Sequence, residues 1–537
     1  MKLSLYINGE IITGKANKEV VEAIAVRGNK ILDVGTNEHI LKLKENANTV
    51  IDLENKTLIP GIIDSHLHIS MYGANQVYSV PCKDFAFNSI KDLLKEVKKK
   101  ANNIPKGEWV RATGFSENSV KEQRFPTKEE LDEISDEHPI IIIRTCGHIS
   151  AVNSQALKIK SIDKDTKNPD GGKFGRDEDG EPNGMLYENA HMDMFSIASY
   201  TENQLTEAHR YASEKFAEKG ITSIHDATGF GMYNIRALQK DSKNGVIKQR
   251  VYAMVGALND AEEIVEHMTE SGVFTGLGDE KFRIGPVKLF LDGSSSGPTV
   301  WTREGYTSDS ENFGIHYFSQ ERVDELFIPA HKNGWQITAH AQGDAAVDML
   351  LNTIEKANKI YPRTNTRHRI EHAGIASSDL RKRMKKAEVI PIPNPAFLYE
   401  YGDGYVKNYG ERAFDMYPMG SYYNEEIPAA IASDCPVTDY NPMRGLHAAV
   451  TRKSNNGQII GNDKKVDLLQ AINMYTLNGA YASFEEDIKG SIEPGKLADL
   501  VLLEDSILSI DINQLPEIKV KWTMIDGEIV YEKNDLC

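Results

Sequence analysis

Cysteine is scarce: four in 537 residues, Cys82, Cys146, Cys435 and Cys537, with no CxxC pair. That argues against a disulfide framework and a thiolate zinc site, and it suits a reducing compartment. No run approaches the ~18 consecutive apolar residues of a membrane span. The opening MKLSLYINGEIITG alternates apolar with polar and lacks the continuous apolar stretch of a secretory signal. It reads as a strand, and the protein as cytoplasmic. Positive charge is also short: 62 Lys and Arg against 79 Asp and Glu leave −17. A nucleic-acid footprint and binding to an anionic membrane are disfavoured, and the acidic excess serves solubility. The remaining composition, 40% hydrophobic and 26% charged, is that of a globular protein, and the length calls for two or three domains.

Residues 1–58 carry only strand signals, SLYINGEIIT, EAIAVRGNKILDVG and NTVIDLENKTL, and residues 488–537 repeat the style in ADLVLLED and VKWTMIDGEIVYEK. Asn-Gly, Gly-Asn and Asp-Gly steps predict hairpins, including one at LYINGEIITG and one at TMIDGEIVYE. Neither end holds enough strands for a domain, so together they predict one composite β-sandwich. Between them, apolar strands alternate with amphipathic helices, the pattern of a parallel sheet with crossover helices. Eight strands are read: LIPGIIDSH, ITSIHDA, RVYAMVGA, IGPVKLFLDG, WQITAHA, HRIEHAG, EVIPIPN and PAAIASD. Eight close a TIM (β/α)8 barrel, predicted over 59–75 and 206–487. The gap between the first two is too long for a loop. Residues 76–205 therefore predict an inserted α+β domain over the active site. Its NPDGGKFGRDEDGEPNG stretch reads as a hairpin without chemistry of its own.

The first barrel strand ends in His66 and His68. Residues two apart on a strand share a face, so both imidazoles can bind one ion. An HxH arises by chance roughly 0.4 times in a chain with this many histidines, so its partners decide its meaning. Lys288 lies in the fourth strand; His340, His372 and Asp434 lie at the ends of the fifth, sixth and eighth. All are at or near the catalytic face of a barrel. A lysine among Val, Leu and Phe costs several kcal/mol unless paired or neutralised.

These motifs resemble the amidohydrolase superfamily of metal-dependent hydrolases, and within it the YtcJ-like, amidohydrolase family 3 group. The resemblance runs nearly end to end: PGxIDxHxH, GxTSxHD, KxFxDGS, AHAxGD, IEHA, ASDxPV and GSIEPGKLADLVLLE, with GHISAVNSQAL matching the group's insertion. It implies that His66 and His68 bind the more buried metal with Asp434 as a further ligand, and that His340 and His372 bind the outer one. Lys288 matches the lysine that becomes N-carboxylated and bridges both ions. Whether one or two ions bind stays open.

Four imidazoles with oxygen ligands suit Zn²⁺ best, with Mn²⁺, Fe²⁺ and Co²⁺ as alternatives. Such an ion lowers the pKa of bound water to about 7, and Asp434 is expected to shuttle its proton to a leaving nitrogen. The implied reaction is hydrolysis of a non-peptide C–N bond in an amide, N-substituted formamide or cyclic amide. The rivals are phosphotriester or lactone hydrolysis at the same centre, and a metal-free, non-enzymatic homologue. Substrate contacts are expected from His148, His225, Asp292, Phe115, Trp301 and Phe397, with Tyr399 and Tyr401 nearby. Asp226 is a candidate support or contact, and Asp344 is expected to cap the helix after His340. The partner is a small molecule, and a homodimer is expected.

Overall fold

The computed structural model describes residues 2–533 apart from 16, 83, 84, 86, 146, 148, 258 and 259. The chain divides into two compact units, Met1–Ile69 with Ala212–Cys537, and Ser70–Tyr211. No helix among the described residues is long and apolar enough to cross a membrane.

The first unit holds a parallel sheet of seven strands: β1 Ile62–Leu67, β2 Ile221–Asp226, β3 Arg250–Val255, β4 Phe282–Phe290, β5 Ile337–Ala341, β6 Arg369–His372 and β7 Ile390–Ile392. They pair in chain order, as a TIM-like barrel requires. The expected eighth strand, PAAIASD, forms no regular ladder. It still joins the sheet's two edges. Ala430 and Ala432 donate to the carbonyls of Pro391 and Pro393, Ser65 donates to Ile431, and Asp434 donates to His66. The two prolines lack N–H groups, so β7 cannot return hydrogen bonds there and the ladder stays one-sided.

The first strand is also divided. Thr57–Pro60 pairs antiparallel with Leu500–Leu503, and only Ile62–Leu67 enters the barrel. Gly61 is the joint: a Cβ there would lie 2.0 Å from Thr222 Oγ1. The terminal segments build a four-stranded sheet of N-terminal strands and a six-stranded sheet drawn from both ends. Val520–Ile525 and Glu528–Glu532 form the expected hairpin, with Asp526 and Gly527 both at positive φ. The other hairpin is not formed. Leu3–Ile7 and Glu10–Ile12 enter different sheets, because each finds an apolar partner elsewhere: residues 23–27 and 49–52 for one, 20–21 and 57–58 for the other. The Asn8-Gly9 step is a corner between sheets.

The second unit contains a six-stranded mixed sheet. Its Ile140–Arg144 strand is apolar on both faces, with Ile140 and Ile142 in one core and Ile141 and Ile143 in another. Gly172–Arg176 pairs with Pro182–Glu188, the hairpin read from the Gly/Asp-rich stretch.

A buried histidine pair in the first unit gives stability a pH dependence. The Ile337 N–H donates to His368 Nδ1, so His368 carries its proton on Nε2 and donates to His331 Nδ1; His331 Nε2 then donates to the Tyr361 carbonyl. Every ring position is committed with both rings neutral. Burial holds both below the ordinary histidine value, His368 well below. The unfolded chain takes up these protons near pH 6.5, so the contribution is complete above that pH and is lost as pH falls toward the folded values. The melting temperature is expected to fall between pH 7 and pH 5, and less steeply in His331→Gln. Equal slopes in thermal unfolding would refute the assignment.

Candidate metal centre and active site

Four histidines meet at the C-terminal ends of β1, β5 and β6. One ring nitrogen of each is tied to an oxygen acceptor. His66 Nδ1 lies 2.5 Å from Glu371 Oε2, His68 Nδ1 2.7 Å from the Thr228 carbonyl, and His372 Nδ1 2.7 Å from Asn394 Oδ1. His340 differs, with Nε2 2.9 Å from the Gly293 carbonyl. A carbonyl or carboxylate only accepts, so the tied nitrogen carries the proton and the other is left as a lone pair. His66, His68 and His372 thus offer Nε2, and His340 offers Nδ1. This is how proteins orient histidine toward a metal.

The free nitrogens have an acidic companion. Asp434 Oδ1 stands 3.4 Å from both His66 Nε2 and His68 Nε2. Ligand atoms of His66, His372 and Asp434 all lie within 4.8 Å of one another. Two ligands about 2.1 Å from one tetrahedral ion stand roughly 3.4 Å apart, so the spacing fits a divalent metal. The His372 and His340 ring centroids are 4.5 Å apart, which brings the fourth imidazole to the cluster. Burial opposes charge on Asp434, but its close contacts with His66 and His68 and the nearby His372 hold the carboxyl well below its usual range. Burial carries His340 down to about 4, so its ring is neutral at physiological pH. His372 and Asp434 both have left-handed backbones, with φ of 71° and 60°. Such conformations in non-glycine residues are costly and gather where geometry is under functional demand.

Lys288 is fully buried on β4. Its Nζ donates to the Ala227 carbonyl at 3.0 Å and stands 3.4 Å from His66 Nε2. Burial lowers the ammonium to about 8, an unusually accessible neutral amine.

Beneath the candidate ligands lies a buried charged network that sequence reasoning missed. Glu371 accepts from Arg369 Nε at 2.8 Å and Nη2 at 3.0 Å, from Thr338 Oγ1 at 2.6 Å, and from His66. Burial opposes its charge, but Arg369 and His66 hold it well below the normal glutamate range. The visible signal was a charged pair, Arg369 and Glu371, inside the strand RIEH that ends in His372. Asn394, which orients His372, also reaches the Ala432 carbonyl at 3.2 Å. Asp64 accepts from the backbone N–H groups of His66 and Ser433, pinning β1 to the segment that carries Asp434.

Several expected substrate contacts are placed otherwise. His225 is buried inside the barrel, where its Nδ1 accepts from Arg369 Nη1 at 2.9 Å. Asp226 accepts from the Ile69 N–H and supports the turn after His68. Asp292 accepts from the backbone N–H groups of Gln342, Gly343 and Trp301, so it braces the loops. Burial raises it to about 7 against those bonds. Trp301 lies 4.7 Å from the His316 ring and lines a surface pocket of about 460 Å³ with Arg303, Phe313 and Met349. Phe115 belongs to the core of the second unit, edge-on to Phe125. Asp344 does not cap its own helix; it takes the Arg303 and Ala345 N–H groups, and Gly343 occupies the cap. Tyr399 meets His447, and the Tyr401 hydroxyl donates to the Val437 carbonyl. His148 lies outside the described residues. Among the five described residues of the six, Phe397 alone stacks on a ligand candidate, 6.0 Å from His372 at 20°.

The model of the amidohydrolase family matches residues 49–531. The chain belongs to the amidohydrolase family. Two relatives in this family align nearly end to end. The putative amidohydrolase YtcJ of Bacillus subtilis is 28% identical over 99% of this chain and 100% of its own. The N-substituted formamide deformylase of Arthrobacter pascens is 28% identical over 99% of each chain. An uncharacterized metal-dependent hydrolase from Pyrococcus horikoshii shares the fold, with a TM-score of 0.80, 24% identity, and coverage of 95% of this chain and 99% of that one.

Proposed function

We propose that the chain is a metal-dependent hydrolase that cleaves a non-peptide C–N bond in an amide, N-substituted formamide or cyclic amide. One observation carries the reading: four histidines each expose a lone pair beside an ionised Asp434 3.4 Å from two of them. The likeness to a relative named as a formamide deformylase supports the bond type. His66, His68, His340, His372 and Asp434 would hold one or two divalent ions, with Zn²⁺ matching the donor set best. When bound, such an ion acidifies water and polarises a carbonyl.

The remaining work falls to the chain. Asp434 is ionised and aimed between His66 and His68, so it accepts a proton from water and returns it to the departing nitrogen. In its neutral form, which the lowered pKa makes accessible, the Lys288 amine forms an N–C bond with the carbon of CO2 and releases one proton, leaving a carbamate with two oxygens for the site. Carboxylation also resolves the burial cost of an ammonium.

The test is metal analysis of the purified protein, with activity on a panel of amides, formamides, lactones and phosphotriesters. Turnover of lactones or phosphotriesters alone would overturn the C–N assignment. Lys288→Ala is expected to lower bound metal and to cut activity at least tenfold. Full metal content and full activity in that variant would overturn the carbamate.

A further inference from the structure

Beside the ligands runs a chain of buried hydroxyl groups that the reaction does not use. Ser295 Oγ lies 2.8 Å from the Tyr405 hydroxyl and 3.2 Å from the Tyr417 hydroxyl, and the Tyr417 hydroxyl lies 2.9 Å from Gln342 Oε1. Tyr405, Tyr417 and Ser295 are fully buried, and Gln342 is 3% exposed. Three hydroxyl hydrogens must each find an acceptor. Running the chain from Tyr405 to Ser295 to Tyr417 to the Gln342 carbonyl oxygen satisfies all three. The Tyr417 hydroxyl donates to Gln342 Oε1 at 2.9 Å, which ends the chain on the amide oxygen. That bond sets the Gln342 amide: the oxygen is taken, and the NH2 faces away from Tyr417. Among the described residues, that NH2 has no hydrogen-bond partner.

Its position is informative. Gln342 follows His340 by two residues at the end of β5, so it continues the face that carries a ligand. Its backbone is braced on both sides, its N–H on Asp292 at 3.0 Å and its carbonyl on the Ile375 N–H at 2.7 Å. Tyr417 also meets Phe397 edge-on at 5.9 Å, the ring that stacks on His372. A ligand group lying along Phe397 is thus close to a committed N–H donor.

We infer that the Gln342 amide nitrogen, oriented by the Tyr405–Ser295–Tyr417 hydroxyl chain, is a specificity-determining donor selecting substrates with a neutral acceptor oxygen beside the apolar group that lies on Phe397. This rests on the C–N hydrolase reading and deepens it. A committed donor favours an acceptor and rejects an isostere lacking one.

The test uses ring-substituted N-benzylformamides in pairs, methoxy against ethyl at each ring position, which exchange an oxygen for a methylene at nearly equal volume. In the metal-loaded wild type, the best methoxy isomer is expected to exceed its ethyl partner about tenfold in kcat/KM, mostly through KM. Gln342→Leu brings that ratio to about one. Tyr417→Phe removes the donor that commits the amide and narrows the ratio with Gln342 still present, which a purely structural role for Tyr417 does not predict. A wild-type ratio below twofold at every position overturns the inference while leaving the hydrolase reading intact. So does a ratio that survives either substitution. Absence of wild-type hydrolysis across all formamides and amides overturns the C–N reading itself.

Discussion

Asp434→Asn is expected to reduce kcat/KM by about a thousandfold on the fastest amide of the panel, while the protein still folds and binds metal through its histidines. The magnitude follows from removing a positioned general base, worth about 10²–10⁴ in rate. The choice of Asn follows from the backbone. Asp434 sits at φ 60°, a region that Asn tolerates better than other non-glycine residues. Asparagine keeps the carbonyl oxygen that faces His66 and His68 and removes the charge. Alanine would confound lost chemistry with added strain. Steady-state kinetics with metal analysis on the same preparation separates the effects: turnover should fall far more than metal content. Retention of more than a tenth of wild-type activity would refute Asp434 as the proton shuttle.

Glu371→Ala is expected to cost about 3–5 kcal/mol of stability, because it leaves the Arg369 guanidinium buried without a counter-charge. Arg369 is fully buried; its remaining acceptors are the Ser65 carbonyl at 2.6 Å and His225 Nδ1 at 2.9 Å. The same change frees His66 Nδ1 and unlocks the ring that presents Nε2, so metal affinity should drop about 10–100-fold. The double variant Arg369→Met/Glu371→Leu separates the two consequences. Replacing both charges with apolar groups is expected to recover most of the stability, since a buried ion pair contributes little net, but not the metal affinity. Thermal unfolding of metal-free protein and metal titration measure the two quantities independently. If the double variant is as unstable as the single one, the unpaired charge is not the cause.

Much of this protein is legible along the chain. His66 and His68 announce themselves because strand periodicity puts alternate residues on one face. His340, His372, Lys288 and Asp434 sit near strand ends, and a parallel barrel gathers those ends whatever the intervening loops do. The division of the β-sandwich between the two termini also shows, because neither set of strands suffices alone. Where local reading failed, a distant partner decided. The Asn8-Gly9 step resembles Asp526-Gly527, yet it became a corner because its two strands found different sheets. The eighth strand lost its ladder to two prolines in its neighbour.

The sequence by itself determined the set of candidate ligands and the architecture that gathers them, through backbone periodicity and the placement of apolar runs. Only the tertiary structure decided which nitrogen of each imidazole is free, that Glu371 supports His66 across 305 residues of chain, that Asp292 braces loops, and which way the Gln342 amide faces. Those are choices of hydrogen-bond partner. Such partners are selected by what lies within about 3 Å after folding, and sequence spacing carries no record of that distance.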